Sequence, residues 1–373
     1  MDERPQPSGT TAGLSLGVYA LTHAVVDAAC ATLLWRAVHD GVVSGRTAVA
    51  AFLAYNFFAF AVQPLVGLGA DRLGAARGAA AVGALTTAAA VPASLLSHGL
   101  AVAIVLAGLG NAVFHIGGGI VSLTAARGRA TPPGIFVAPG AAGVAWGVVH
   151  GRGGGSAWPP AVALVVLAVV LALAPRPRWR TTPSARRSGP VAASAVETIL
   201  VLLLFVIALR AYVGMALVFP WKSQMPLLVA LTAGVVLGKA LGGVAADRWG
   251  WRPVGVGAIA LSVPLLALGP DLPVAGIAGA LVFNMTMPVT LVAAAAALPR
   301  HEGFAFGLTC LALFVGTAPA LLRWDWAAAI SPLGLVALAV AAAAALWLAL
   351  GRLGADPAGD PRLLPLVVEG GRP

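Results

Sequence analysis

The chain is poor in charge. Only 10% of its 373 residues are Asp, Glu, Lys or Arg, where soluble domains carry about 25%. Hydrophobic residues make up 60%, and mean hydropathy is +0.93. A water-soluble fold of this length has no means of hiding so much apolar surface, so a soluble enzyme is excluded and a polytopic membrane protein expected. Lysine is scarcer still, with Lys222 and Lys239 alone. The net charge of +10 is therefore carried by arginines between apolar runs, which reads as membrane topology rather than as a nucleic-acid surface. Two cysteines, Cys30 and Cys310, each lie inside an apolar run and give neither a disulfide framework nor a CxxC metal site. Six histidines occur, with no HxxxH or HExxH pair. No P-loop is present, which argues against ATP drive, and no cofactor motif is found.

What the chain does have is apolar runs. A bilayer core of about 30 Å takes about 20 helical residues. Twelve runs meet or approach that: 13–36, 45–69, 78–97, 99–124, 131–150, 158–175, 196–220, 224–246, 253–270, 273–298, 303–322 and 327–351. The first run carries His23 and Asp27, unlike the purely apolar core of a cleaved signal peptide. Between the sixth and seventh lies RPRWRTTPSARRSGPVAASA, residues 176–195, with five arginines and no apolar period. It reads as a basic linker dividing the chain six runs to six. Residues 1–12 and the Pro- and Gly-rich 352–373 read as tails. With the N-terminus in the cytoplasm, sixteen of the 23 Lys and Arg residues face inward and five outward. That positive-inside bias places both termini in the cytoplasm and the chain in the cell's inner (plasma) membrane.

One charged turn occurs twice. GLGADRLG runs from Gly67 to Gly74 through Asp71 and Arg72, and GVAADRWG from Gly243 to Gly250 through Asp247 and Arg248. The aspartates are 176 residues apart, each just after the second run of its half; Asn111 and Asn284, like Arg127 and Arg300, are 173 apart. Glycines let helix ends approach closely. An Asp can accept hydrogen bonds from a helix N-terminus, and an Arg beside it can pair with that Asp or with lipid phosphate. One copy would read as a solvated loop; two at matching places read as latches. On these residues the chain resembles the major facilitator superfamily over essentially its whole length. The resemblance implies an all-α membrane protein, twelve transmembrane helices in two six-helix bundles around a central cavity, working by alternating access. Asp71, Arg72, Asp247 and Arg248 would then be gating residues.

Ionisable groups inside spans are costly and are functional candidates by default. His23 and Asp27 lie four apart on one face of the first span, and Asn111 and His115 four apart on the fourth. Arg210 sits in the seventh. Asp27 is the expected proton-titrating group, with His23 and His115 assisting proton transfer or substrate binding. Arg210 would be a counter-charge or an anion-binding group, since its depth could match that of Asp27. The bland alternative is a static polar network. Lys239 reads as a snorkelling residue near the cytoplasmic end. Trp146, Tyr212, Trp221, Phe283 and Met285 are candidates for the cavity wall, and Gly140, Gly143 and Gly147 for close helix packing.

The His and Asp of the first span, FH in the fourth, LR-A-Y in the seventh and MPVTLVAAAAALPRHEGFAFGL at 287–308 resemble the fosmidomycin-resistance branch of that superfamily. That likeness implies proton-coupled drug export. The branch often follows FH with Pro and Glu, where this chain has Ile116 and Gly117. The expected partners are a small-molecule substrate, protons and the lipid bilayer. No nucleic acid, metal or cofactor is expected, and the protein should be monomeric. Proton-coupled uptake on the same fold is the main alternative, since symport and antiport use the same groups. A metal-dependent membrane enzyme built on His23, Asp27 and His115, and a non-transporting receptor or scaffold, rank below it.

Overall fold

The computed structural model of the chain describes residues 9–126, 128–173, 193–322 and 330–354. These residues form twelve helical spans. The first six are α1 (Gly9–His39), α2 (Gly45–Leu73), α3 (Ala76–Ala93), α4 (Gly99–Ala126), α5 (Thr131–Arg152) and α6 (Trp158–Leu173). After the linker come α7 (Ala193–Ala216), α8 (Met225–Trp249), α9 (Trp251–Leu268), α10 (Pro273–Ala297), α11 (Glu302–Leu321) and α12 (Pro332–Leu353). Ten are long and apolar enough to cross a bilayer by length and composition; α3 and α6 are shorter or less apolar. This is a multi-pass membrane protein. Most of the 176–195 linker and of the C-terminal tail, together with Arg127, lies outside the described residues.

Two spans depart from regular α-helix just before a proline. Pro64 has no N–H to give the carbonyl four residues back, and α2 answers with a π turn at Phe57–Ala61. Pro288 does the same to Asn284, and α10 breaks between Asn284 and Thr286. Some ends differ from the sequence reading. The third span stops at Ala93 rather than 97, because Ser94–His98 turns, with His98 at φ 60°. The seventh stops at Ala216, and a separate turn, Pro220–Ser223, follows before Pro226 opens α8.

Helices α1–α6 pack into one bundle and α7–α12 into another, which meet along α2 with α11 and α5 with α8. Within the first bundle α1 lies against α5 and α3 against α4. Glycine makes both contacts close. A Cβ at Gly143 would overlap the Ala24 carbonyl, one at Gly147 that of Ala28, and one at Gly151 that of Thr32. The glycine stripe expected in the fifth span is thus a packing stripe, and it runs one member further than the sequence suggested. On α3 a Cβ at Gly83 would meet the backbone of Phe114 and Gly110 on α4. Backbone has no room to yield, so Gly83→Val should cost about 3 kcal/mol or more and sharply reduce folded protein in membranes, read as monodisperse yield after extraction.

Candidate functional site

The turn pair is built as two symmetric clasps. Gly74 closes α2 in the left-handed conformation at φ 60°, and Gly250 turns between α8 and α9 at φ 95°. Neither backbone angle suits a residue with a side chain. Asp71 then points at the start of α11, where its two oxygens accept from the Gly303 and Phe304 amides, each at 2.8 Å. Asp247 points at the start of α5 and accepts from the Ala130 amide at 2.6 Å, the Thr131 amide at 2.9 Å and the Thr131 hydroxyl. Each carboxylate of one bundle thus caps an orphaned helix N-terminus of the other. Gly67 lies directly on the Gly303 carbonyl and Gly243 on that of Ala130; any side chain there would hold the bundles apart. Arg72 and Arg248 are exposed and form no ion pair with the aspartates among the described residues, so it is the helix ends that the aspartates bind. Both clasps lie on one face of the molecule, which is closed there.

Inside the first bundle, where α1, α4 and α5 meet, lies the second cluster. Asp27 on α1 is buried, 9% exposed. Its Oδ1 accepts from the Asn111 amide of α4 at 3.0 Å. Its Oδ2 lies 3.2 Å from His23 Nε2, and Oδ1 lies 3.8 Å from His115 Nε2. Both rings are held from behind: His23 Nδ1 lies 2.9 Å from the Phe136 carbonyl and His115 Nδ1 2.9 Å from the Asn111 carbonyl. A carbonyl only accepts, so each Nδ1 carries the hydrogen and each neutral ring presents a bare Nε2. His23 Nε2 and the Asp27 carboxylate would then face each other lone pair to lone pair at 3.2 Å. That contact is attractive only with a positive charge between them. The three ligand atoms of His23, Asp27 and His115 lie within 4.8 Å of one another, close enough to share a proton or to close on a small cation. The rings are packed edge-on at 4.3 Å, with Phe136 at 4.8 Å from His23.

Gly140 of α5 makes room for this arrangement. A Cβ there would meet His23 Nε2 and Asp27 Oδ2. Gly140→Val should therefore push His23 off the carboxylate and destabilise the fold by about 1–3 kcal/mol. The measurement is the melting temperature together with transport, and transport is expected to fall further than stability does.

Other expected members lie elsewhere. Asn284 gives its amide to the Ala280 carbonyl at 2.8 Å, at the break in α10, and does not reach Asp27. Arg210 is not paired with Asp27; it is 9% exposed and lines a separate cleft in the second bundle. Of the aromatic candidates, Phe283 lines that cleft. Trp221 instead donates to the Gly269 carbonyl at 2.8 Å, and Trp146 stacks on His150.

Lys239 departs from its sequence reading. It lies near the middle of α8 and reaches across the bundle interface to the Val137 carbonyl at 3.4 Å. Val137 follows Phe136, whose carbonyl holds His23. Sequence gave no sign of this, because an apolar helix does not show which of its faces meets the other bundle.

No family model matches the sequence, and no characterised protein sequence matches it. Solved structures do. A variant of the E. coli fucose:proton symporter FucP aligns over 92% of this chain and 97% of its own, with TM-score 0.64 and 11% identity. FucP in the outward conformation aligns over 90% and 99%, at 0.59 and 12%. The human organic anion transporter MFSD10 aligns over 93% and 100%, at 0.62 and 15%. The chain therefore has the twelve-helix fold of the major facilitator transporters, as its repeated turn led one to expect.

Proposed function

We propose that the chain is a secondary active transporter that moves a small molecule across the inner membrane in exchange for protons, by rocking of the two bundles. The observation that carries this reading is the His23–Asp27 contact: two buried groups with facing lone pairs, in a site that is complete only with a proton or other cation in it. The clasp face is assigned to the cytoplasm, following the arginine bias, with both termini on that side. Export is favoured over uptake by the likeness of the intramembrane residues to the fosmidomycin-resistance branch.

The coupling route is short. His23 holds the Phe136 carbonyl, and Lys239 of the other bundle holds the next one, Val137. Pro139 interrupts the helix ladder just beyond them. A change of charge at His23 and Asp27 alters the hold on α5, whose first turn is the part clasped by Asp247. Protonation and the closure of the clasp face thereby act on one helix. Lys239→Met should keep the fold and reduce pH-driven transport roughly 3- to 10-fold, the range of coupling free energies near 1 kcal/mol.

The test is purified protein in liposomes with a pH-sensitive dye inside, challenged with a panel of antibiotics, phosphonates, dyes and metabolites. Substrate-triggered proton movement opposite to the substrate supports exchange, and parallel movement supports uptake. Substrate flux with no proton movement at any pH overturns the proton-coupled reading.

A further inference from the structure

The cluster at His23, Asp27 and His115 has the donor set of a metal site as well as of a proton site. Its ligand atoms come from two helices, two from α1 and one from α4, which is why no HxxxH or HExxH spacing announces it. No two of them are more than 4.8 Å apart. Metal–ligand bonds of about 2.0–2.2 Å hold tetrahedral ligand atoms about 3.4 Å from one another. His23 Nε2 and Asp27 Oδ2 already stand at 3.2 Å, and His115 Nε2 and Asp27 Oδ1 at 3.8 Å. Small side-chain rotations therefore close all three on one ion.

The way the rings are held separates this from a chance grouping. Each Nδ1 is committed to a backbone carbonyl at 2.9 Å, that of Phe136 for His23 and that of Asn111 for His115. Such a partner fixes the tautomer of a metal-ligating histidine and leaves the bare Nε2 for the ion. A second observation is Asn111, which is fully buried. Its Nδ2 lies 3.0 Å from Asp27 Oδ1, while its Oδ1 has no hydrogen-bond partner. Turned over about its last bond, the amide brings that oxygen to the carboxylate's side, where a fourth ligand belongs. We propose that His23, Asp27, His115 and Asn111 bind a divalent first-row transition cation such as Zn²⁺. Two neutral imidazoles with one carboxylate suit that class, whereas Mg²⁺ and Ca²⁺ take all-oxygen sets. One carboxylate leaves one positive charge of the ion uncancelled. Among the described residues Lys239 is the further charge whose field reaches His115. Seated on the Val137 carbonyl across the interface, it opposes that excess and limits the affinity.

The probe is Zn²⁺, titrated calorimetrically at neutral pH into metal-free full-length protein in nanodiscs of zwitterionic lipid, with Mg²⁺ as control. One Zn²⁺ should bind per chain and raise the melting temperature; Mg²⁺ should do neither. Disturbing a ligand's hydrogen-bond partner costs about 10- to 100-fold in metal affinity, so losing a ligand, as in Asp27→Asn or His115→Gln, should cost at least about 100-fold. Lys239→Met should tighten binding several-fold, since it removes a like charge. The rival zinc ligands are at the surface, where His39 Nδ1 lies 2.9 Å from Asp40; His39→Gln should leave the affinity unchanged. Metal-free melting temperatures show that each variant is folded, and should one ligand variant fail to fold, the other and Lys239→Met decide. No Zn²⁺ binding, Mg²⁺ binding as tight, full affinity in a folded ligand variant, or loss of affinity in His39→Gln would each overturn the proposal. Zinc that fills the site should also stop proton-driven transport; that consequence rests on the transporter reading, whereas the binding does not. Zinc binding without any proton movement leaves the metal site standing and the proton-coupled reading overturned. Asp27-dependent proton movement without zinc binding does the reverse.

Discussion

Asp27→Asn is expected to reduce pH-driven transport at least about 100-fold, in keeping with the loss of a positioned proton-transfer group. Downhill exchange of substrate, which needs no net proton transfer, should fall far less. The substitution is nearly isosteric. The amide can still accept from Asn111 and can donate to the bare His23 Nε2, so packing around α1, α4 and α5 is preserved and the melting temperature should hold. The carboxylate that needs a positive charge beside it is gone, however, and the site no longer takes up and releases one. His23→Gln should behave similarly, because His23 stands at 3.2 Å. His115→Gln should be milder, because His115 stands off at 3.8 Å. Active transport and exchange are compared in the same liposomes at matched protein content. If Asp27→Asn loses both to the same degree, the residue serves the fold or the substrate rather than the proton.

The second large effect is at the clasps. Removing both carboxylates, as Asp71→Ala with Asp247→Ala, leaves the first turns of α11 and α5 without their acceptors. Each clasp contributes about 1–2 kcal/mol, a figure kept low because the aspartates are only partly buried. Losing both should shift the balance between closed and open clasp faces by roughly 100-fold. Ile120→Cys offers a readout, since Ile120 lies against Gly303 beside the clasp. A membrane-impermeant thiol reagent applied from the clasp face should label it slowly in the clasped protein and quickly in the double variant. The native cysteines, both buried, stay silent. Either single variant should show an intermediate rate, as the two clasps close the same face. Unchanged labelling in the double variant would mean that packing of Gly67 and Gly243, rather than the aspartates, keeps the face shut.

Much of this was legible in the sequence, for reasons that differ residue by residue. The spans were readable because bilayer thickness fixes helix length, and the two-bundle architecture because the turn at Asp71 returns at Asp247. His23 with Asp27 and Asn111 with His115 were readable as same-face pairs from their four-residue spacing; that the two pairs meet required the packing of α1 on α4. The hydrogen bonds from α5 and α11 to the aspartates were expected in kind; of the two roles open to the arginines, pairing with the aspartate or with lipid phosphate, the first is not seen among the described residues, where Arg72 and Arg248 are exposed. Lys239 was misread and Arg210 left without its pairing to Asp27 because periodicity does not distinguish lipid-facing from bundle-facing sides in helices that are apolar all round. Asn284 shared a repeat position with Asn111 and not its role, since Pro288 breaks α10 there and turns its amide onto Ala280.

The most direct test of the account uses an efflux-deficient bacterial host expressing wild type or Asp27→Asn at matched membrane levels, scored for growth across antibiotics, phosphonates and dyes. Protection by the wild type against at least one compound, lost in Asp27→Asn, is the expected result. Equal protection by both would contradict the claim that the Asp27 cluster drives the cycle.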